Sequence, residues 1–123
     1  MEIKQVDNVS FGYTHKLKTL YKKGKLPSVK YGFYGDELTP KNCTIEHLMC
    51  VSKGGTTTLD NIVLATANKN QERGNSPLFS MLNWKYAGQY LEQFRDVVVD
   101  GFNGNAYIQA VLEKVKYLLE AGL

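Results

Sequence analysis

The chain has little of what builds a covalently or metal-stapled scaffold. Its 123 residues include two cysteines (Cys43 and Cys50), two histidines (His15 and His47), three prolines and one tryptophan. A structural zinc takes four Cys or His ligands, commonly as Cys-x-x-Cys pairs. Neither spacing here suggests such a site, so no structural zinc is expected, and both thiols read as small buried side chains in a reducing compartment. No apolar run approaches the roughly 18 residues that span a bilayer. The opening Met1-Glu2-Ile3-Lys4-Gln5 lacks the apolar stretch of a secretory leader. The expectation is a cytoplasmic protein with no membrane partner.

What is present fits one domain, 1–123, since the length suffices for one core and not for two. The net charge of +3 is unevenly placed. Residues 1–35 carry seven lysines against Glu2 and Asp7, a balance of +5, and the remainder carries −2. This basic N-terminal segment is a candidate surface for a polyanion.

Leu17, Leu20 and Tyr21 among lysines predict a short helix within 13–25, stopped by Gly24. Val29 to Tyr34 reads as extended. Cys43 to Met49 reads as a strand, Ser52 to Asp60 as a loop around Gly54-Gly55, and Ile62-Val63-Leu64 as a second strand. Thr66 is placed to cap a helix carrying Asn68, Lys69 and Asn70, with Gly74 ending it and Pro77 opening another. Leu78, Leu82, Tyr90, Leu91, Phe94 and Val98 recur at helical spacing, and Asp100-Gly101 with Asn103-Gly104 breaks the run. Ile108, Val111, Leu112, Val115, Leu118 and Leu119 mark one face of a last helix.

The chemistry-bearing stretch is 43–75. A carboxylate stands beside a histidine near the end of one strand, Asn61 opens the next strand, and Asn70 lies on the following helix. If the strands pair and the helix crosses them, Glu46, His47 and Asn70 can converge. A carboxylate and an amide oxygen are hard donors suited to Mg²⁺. A neutral imidazole can deprotonate a water near pH 7.

The blocks Ile45-Glu46-His47-Leu48-Met49, Ser52-Lys53-Gly54-Gly55, Leu59-Asp60-Asn61-Ile62-Val63-Leu64, Asn68-Lys69-Asn70 and Arg73-Gly74-Asn75, in that order, resemble the HNH endonuclease family. They are similar above all to members with Asn at the third position, such as the HNH domain of CRISPR RNA-guided nucleases. The resemblance leaves 1–35 and 80–123 uncovered. It implies an α+β fold with a ββα-metal (His-Me finger) core, here joined by a basic N-terminal arm and two C-terminal helices over 78–123. It also implies hydrolysis of DNA phosphodiester bonds, one strand nicked per active site, giving 5′-phosphate and 3′-hydroxyl ends.

Residue by residue, His47 matches the general base, and Asn61 the middle position that ties the loop to the strand and helps orient the histidine. Glu46 and Asn70 match the ligands of one divalent ion, Mg²⁺ by preference with Mn²⁺ or another as substitutes. Arg73 falls where the family often has a basic residue facing the phosphate. Glu46 departs from the commoner Asp by one methylene, and the positions of the family's zinc-binding cysteine pair fall on Thr66 and Lys69. Asn68 is the rival to Asn70.

Lys16, Lys18, Lys22, Lys23, Lys25 and Lys30 alternate with Tyr13, Tyr21, Tyr31 and Tyr34, and Lys53 lies in the Gly-rich loop. Lysines can neutralise phosphates while tyrosines stack on bases. Equally, the lysines can form a solvated face over buried tyrosines. Two further alternatives are a catalytically silent nucleic-acid-binding module on the same scaffold and a nuclease acting on RNA or structured DNA. A partner surface on the last two helices is a third. Oligomeric state, recognition sequence and biological role are open at this stage.

Overall fold

A computed structural model describes residues 17–123. Lys16, with the rest of the expected arm up to that point, lies outside the described residues. The class is α+β, with helices and two small antiparallel sheets. Helix α1 covers residues 17–22. Then come β1 (Cys43–His47), β2 (Ile62–Thr66) and α2 (Ala67–Arg73). The C-terminal part holds α3 (Trp84–Glu92), β3 (Val98–Val99), β4 (Phe102–Asn103) and α4 (Gly104–Ala121). Single 3₁₀ turns stand at Val51–Lys53, Leu59–Asn61 and Leu78–Ser80. No described helix is long and apolar enough to cross a membrane.

β1 and β2 pair antiparallel, with Cys43 opposite Thr66 and His47 opposite Ile62. Every residue of β2 is buried, so its apolar run is covered on both faces, as a central strand's would be. Thr66 ends the strand and caps α2, its Oγ1 accepting the Lys69 N–H at 3.2 Å. That hydroxyl satisfies one of the four amide donors a helix start leaves unpaired.

A two-stranded sheet is marginal alone, and side chains close both of its edges. On the β2 edge, the Leu64 N–H donates to Tyr90 Oη at 2.9 Å, and the Tyr90 and Tyr107 hydroxyls lie 2.8 Å apart. Tyr107 in turn donates to the Ile62 carbonyl at 2.8 Å. Because that hydrogen is committed to Ile62, the Tyr90 hydroxyl must donate to Tyr107, and the relay runs one way. Burial raises the pKa of both phenols, so both keep their hydrogens. Phe33 adds its N–H to the Leu64 carbonyl at 3.0 Å. Around these groups Phe33, Tyr90, Phe94, Phe102 and Tyr107 form a chain of mostly edge-to-face rings, a favoured arrangement for aromatic quadrupoles.

Two expectations are corrected. Val29–Tyr34 does not form a strand; only Tyr31 bridges, to Glu37. The carboxamide of Gln93 takes the place of a neighbouring strand. Its Oε1 accepts from the Lys30 and Tyr31 amides at 2.8 Å each, and its Nε2 donates to the Tyr31 carbonyl at 2.9 Å. The helix expected across 78–98 is broken into a 3₁₀ turn and α3, restarted by the Asn83 side chain capping Lys85 N. Val98 belongs to β3 and is 73 % exposed. β3 and β4 form a hairpin whose two-residue turn, Asp100-Gly101, has φ of +47° and +84°, the primed geometry that matches strand twist.

The α4 face is as expected at Val111, Val115 and Leu118, all buried, with Tyr107 as its first buried side chain. Replacing Tyr107 by Phe keeps the ring and removes the hydroxyl, which strands the Ile62 carbonyl and the Tyr90 donor. We expect a loss of about 1–3 kcal/mol, read from urea unfolding of Tyr107→Phe against the wild type.

Candidate functional site

Helix α2 packs on β1 and β2, and its inward side chains set the site. Asn70 Nδ2 donates to Thr44 Oγ1 and to the Ile45 carbonyl, both at 3.1 Å. Its two hydrogens are thereby used, and Oδ1 is the atom left to accept. Asn68 is exposed and makes none of these contacts, so of the two rivals Asn70 is the one held against β1.

One helical turn on, Arg73 is 1 % exposed. Its Nη1 donates to Glu46 Oε2 at 3.2 Å and to the His47 carbonyl at 3.0 Å, with a longer 3.4 Å contact to Tyr34 Oη. Nη2 donates to the Leu48 carbonyl at 2.7 Å, and Nε to the Ser76 carbonyl at 2.9 Å. The expectation that Arg73 faces a phosphate is therefore corrected. A guanidinium buried among one carboxylate and three carbonyls is a fastener between the end of α2 and the end of β1.

Glu46 is 5 % exposed. Its Oε2 also accepts the Tyr34 hydroxyl at 2.8 Å. Burial raises the carboxyl above its ordinary range, and the Tyr34 hydrogen bond and the Arg73 charge oppose that rise. Strand alternation turns neighbouring side chains to opposite faces, and the contacts follow it. Glu46 meets Arg73 of α2, whereas the imidazole of His47 meets the loop, its Nε2 2.9 Å from Thr57 Oγ1. Among the described residues no hydrogen bond joins that imidazole to Glu46 or Asn70. Half-buried His47 has its pKa lowered by desolvation, so the neutral ring is the form present near pH 7.

Asn61 is fully buried and continues the β1–β2 ladder with its side chain. Its backbone carbonyl accepts the Leu48 N–H at 2.8 Å. Oδ1 accepts the Met49 N–H at 2.9 Å, and Nδ2 donates to the Met49 and Thr56 carbonyls at 3.2 and 2.8 Å. The carboxamide thus clasps both ends of the loop that follows His47. Ser52 Oγ donates to Asn75 Oδ1 at 3.1 Å, tying the same loop to the segment after α2.

Lys22, Lys23, Lys30 and Lys53 are exposed, and Lys18 is half-buried. Lys25 is exposed but ion-paired with Asp100 at 3.0 Å. Of the interleaved tyrosines, Tyr31 is exposed, Tyr21 is half-buried and Tyr34 is buried. The stacking role considered for Tyr34 is excluded by its place beneath Glu46. Sequence reasoning missed Tyr34, Thr57 and Thr44 as partners of the three central residues. Thr57 and Thr44 lie within the stretch 43–75 but between or beside the matched blocks, and nothing there marks which hydroxyl meets which group.

Among the described residues no three His, Cys, Asp or Glu side chains gather as a metal site. An ion here would rest on Glu46 and on Asn70 Oδ1, both hard oxygen donors, with water completing the shell. No protein-family model, curated protein or solved structure matches the chain.

Removing Arg73 leaves a buried carboxylate without its cationic partner and three carbonyls without that donor. Arg73→Met is expected to cost about 3–5 kcal/mol, with part of the loss recovered in Arg73→Met/Glu46→Gln, read from denaturant midpoints. His47 has a depressed folded pKa, so its contribution to stability is full above its unfolded value near 6.5 and is lost as pH falls through the folded value. Melting temperature measured from pH 7.5 down to pH 5 is expected to fall less steeply in His47→Gln than in the wild type.

Proposed function

We propose that this chain is a metal-dependent endonuclease of the HNH type that hydrolyses DNA phosphodiester bonds, nicking one strand per active site. The observation that carries the reading is His47: a desolvated, neutral imidazole, fastened at one nitrogen and standing at the end of the strand that also bears Glu46. The strand–loop–strand–helix order that the resemblance calls for supports it.

In this reading, Nε2–H of His47 donates to Thr57 Oγ1, which leaves the Nδ1 lone pair as the base. Nδ1 takes a proton from water, the water oxygen attacks phosphorus, the bond from phosphorus to the 3′ oxygen breaks, and the leaving 3′ oxygen takes a proton from solvent. The products are a 5′-phosphate and a 3′-hydroxyl. Glu46 and Asn70 would hold the divalent ion, Mg²⁺ by preference, and when bound it supplies neutralisation of the charge that grows on the phosphate oxygens. Asn61 keeps the loop carrying Thr57 closed against β1, and so keeps the base in place. Lys53, Lys22, Lys23 and Lys30 are among the exposed charges available for the DNA backbone.

One observation favours a second reading, a nucleic-acid-binding module without catalysis. Glu46 already has a cationic partner in Arg73, so its charge can be accounted for without any metal.

Supercoiled plasmid incubated with Mg²⁺, with Mn²⁺ and with chelator separates the two. Nicked circles that depend on the ion support the nuclease. In His47→Ala we expect a loss of about 10²–10⁴-fold in nicking with DNA binding retained. Asn70→Ala should lower activity sharply and shift the ion titration, whereas Asn68→Ala leaves both unchanged. Wild-type protein that binds plasmid yet never nicks it would establish the binding module.

A further inference from the structure

We infer that Tyr34 is a positioning residue for Glu46, fixing one carboxylate oxygen so that the other is presented to a divalent ion. The inference rests on the nuclease reading above and concerns a residue outside the matched motif.

A glutamate ligand carries one more torsion than an aspartate, and that freedom must be removed before the carboxylate can offer an oxygen in one place. Two donors converge on Oε2, the Tyr34 hydroxyl at 2.8 Å and Arg73 Nη1 at 3.2 Å. Arg73 Nη1 also approaches Tyr34 Oη at 3.4 Å. The phenol oxygen therefore faces a cationic donor, which directs its own hydrogen to Oε2.

Tyr34 is itself rigidly delivered. Its neighbour Phe33 donates its N–H to the Leu64 carbonyl at 3.0 Å, and Gly32 accepts from Gly35 and donates to Asp36. Gly32 crosses β2 so closely that a Cβ would stand 3.2 Å from Ala65 Cα. The ring lies edge-on to Phe33 with centroids 5.2 Å apart. Residues 32–36 thus form a bracket on β2 that places one hydroxyl across the sheet at the carboxylate of β1. Bonds of this kind, from a side chain behind the ligand, orient the donor and tune metal affinity.

The test is Mn²⁺ titration of the full chain, followed by electron paramagnetic resonance, in wild type and Tyr34→Phe, with melting temperature and Mg²⁺-dependent nicking measured alongside. Tyr34→Phe keeps the ring and its packing. The expected result is Mn²⁺ affinity weaker by roughly tenfold and a higher Mg²⁺ requirement, with the rate at saturating Mg²⁺ changed less than the affinity. In a Glu46→Asp background, where the shorter carboxylate no longer reaches the hydroxyl, Tyr34→Phe should add little. Unchanged Mn²⁺ affinity in Tyr34→Phe, whatever happens to its melting temperature, overturns the positioning role and leaves the nuclease reading standing. A wild type that binds no Mn²⁺ and nicks nothing overturns that reading, and the positioning role with it.

Discussion

The buried guanidinium of Arg73 is the contact on which the site's geometry depends. It joins the last residue of α2 to three consecutive residues of the β1 end through the Glu46 carboxylate, the His47 carbonyl and the Leu48 carbonyl. It also holds the chain leaving α2 through Ser76. Taking such a charge out of water costs several kcal/mol, and only a full set of acceptors offsets it. Arginine suits the task because its planar fork presents several donors in fixed directions, which a lysine ammonium does not. The consequence reaches His47, whose backbone is held by Arg73 and whose ring is held by Thr57. Strand, helix and loop are thereby set relative to one another at a single point.

A second layer of order comes from polar side chains that take over the work of backbone. Gln93 stands in for a strand beside residues 30–31, Asn61 extends the ladder beyond His47, and Tyr90 with Tyr107 covers the outer groups of Leu64 and Ile62. Asn70 and Arg73 do the same on the opposite edge, at the Ile45 and His47 carbonyls. Asn70 therefore has a structural duty that exists whether or not it ligates an ion. The two roles are compatible, because the edge contact uses its amide hydrogens and a metal would use its oxygen.

What the sequence made legible was local. The apolar run Ile62-Val63-Leu64, the Thr66 cap and Gly74 after α2 each act over a few residues, and strand, helix start and helix stop stand where pattern placed them. The Asp100-Gly101 turn was visible as a break, although its flanking Val98-Val99 and Phe102 went unread as a hairpin. The rest depended on partners far along the chain. Nothing near Val29–Tyr34 announces that Gln93 will absorb its backbone bonds, and helical spacing through Val98 gave no sign that Asn83 would restart the helix. The site follows the same division. Glu46, His47, Asn61 and Asn70 were marked by order and residue type, and their roles in chemistry remain the proposal. The resemblance points Arg73 toward a phosphate, and only its five acceptors, which lie far apart in the chain, account for its burial.

The side chains that close the β1–β2 sheet also bear on the order in which the protein folds. The hairpin 43–66 brings few of its own edge partners. Tyr90 and Tyr107 arrive from helices that begin well downstream, and Phe33 arrives from upstream. Two paired strands with open edges gain too little to persist in water, and closing long loops before the contacts form is slow. The strands that carry Glu46 and His47 should therefore be among the last elements to become secure, consolidating only as α3 and α4 dock. During synthesis, the nascent chain would hold this region unfinished until Tyr107 has left the ribosome.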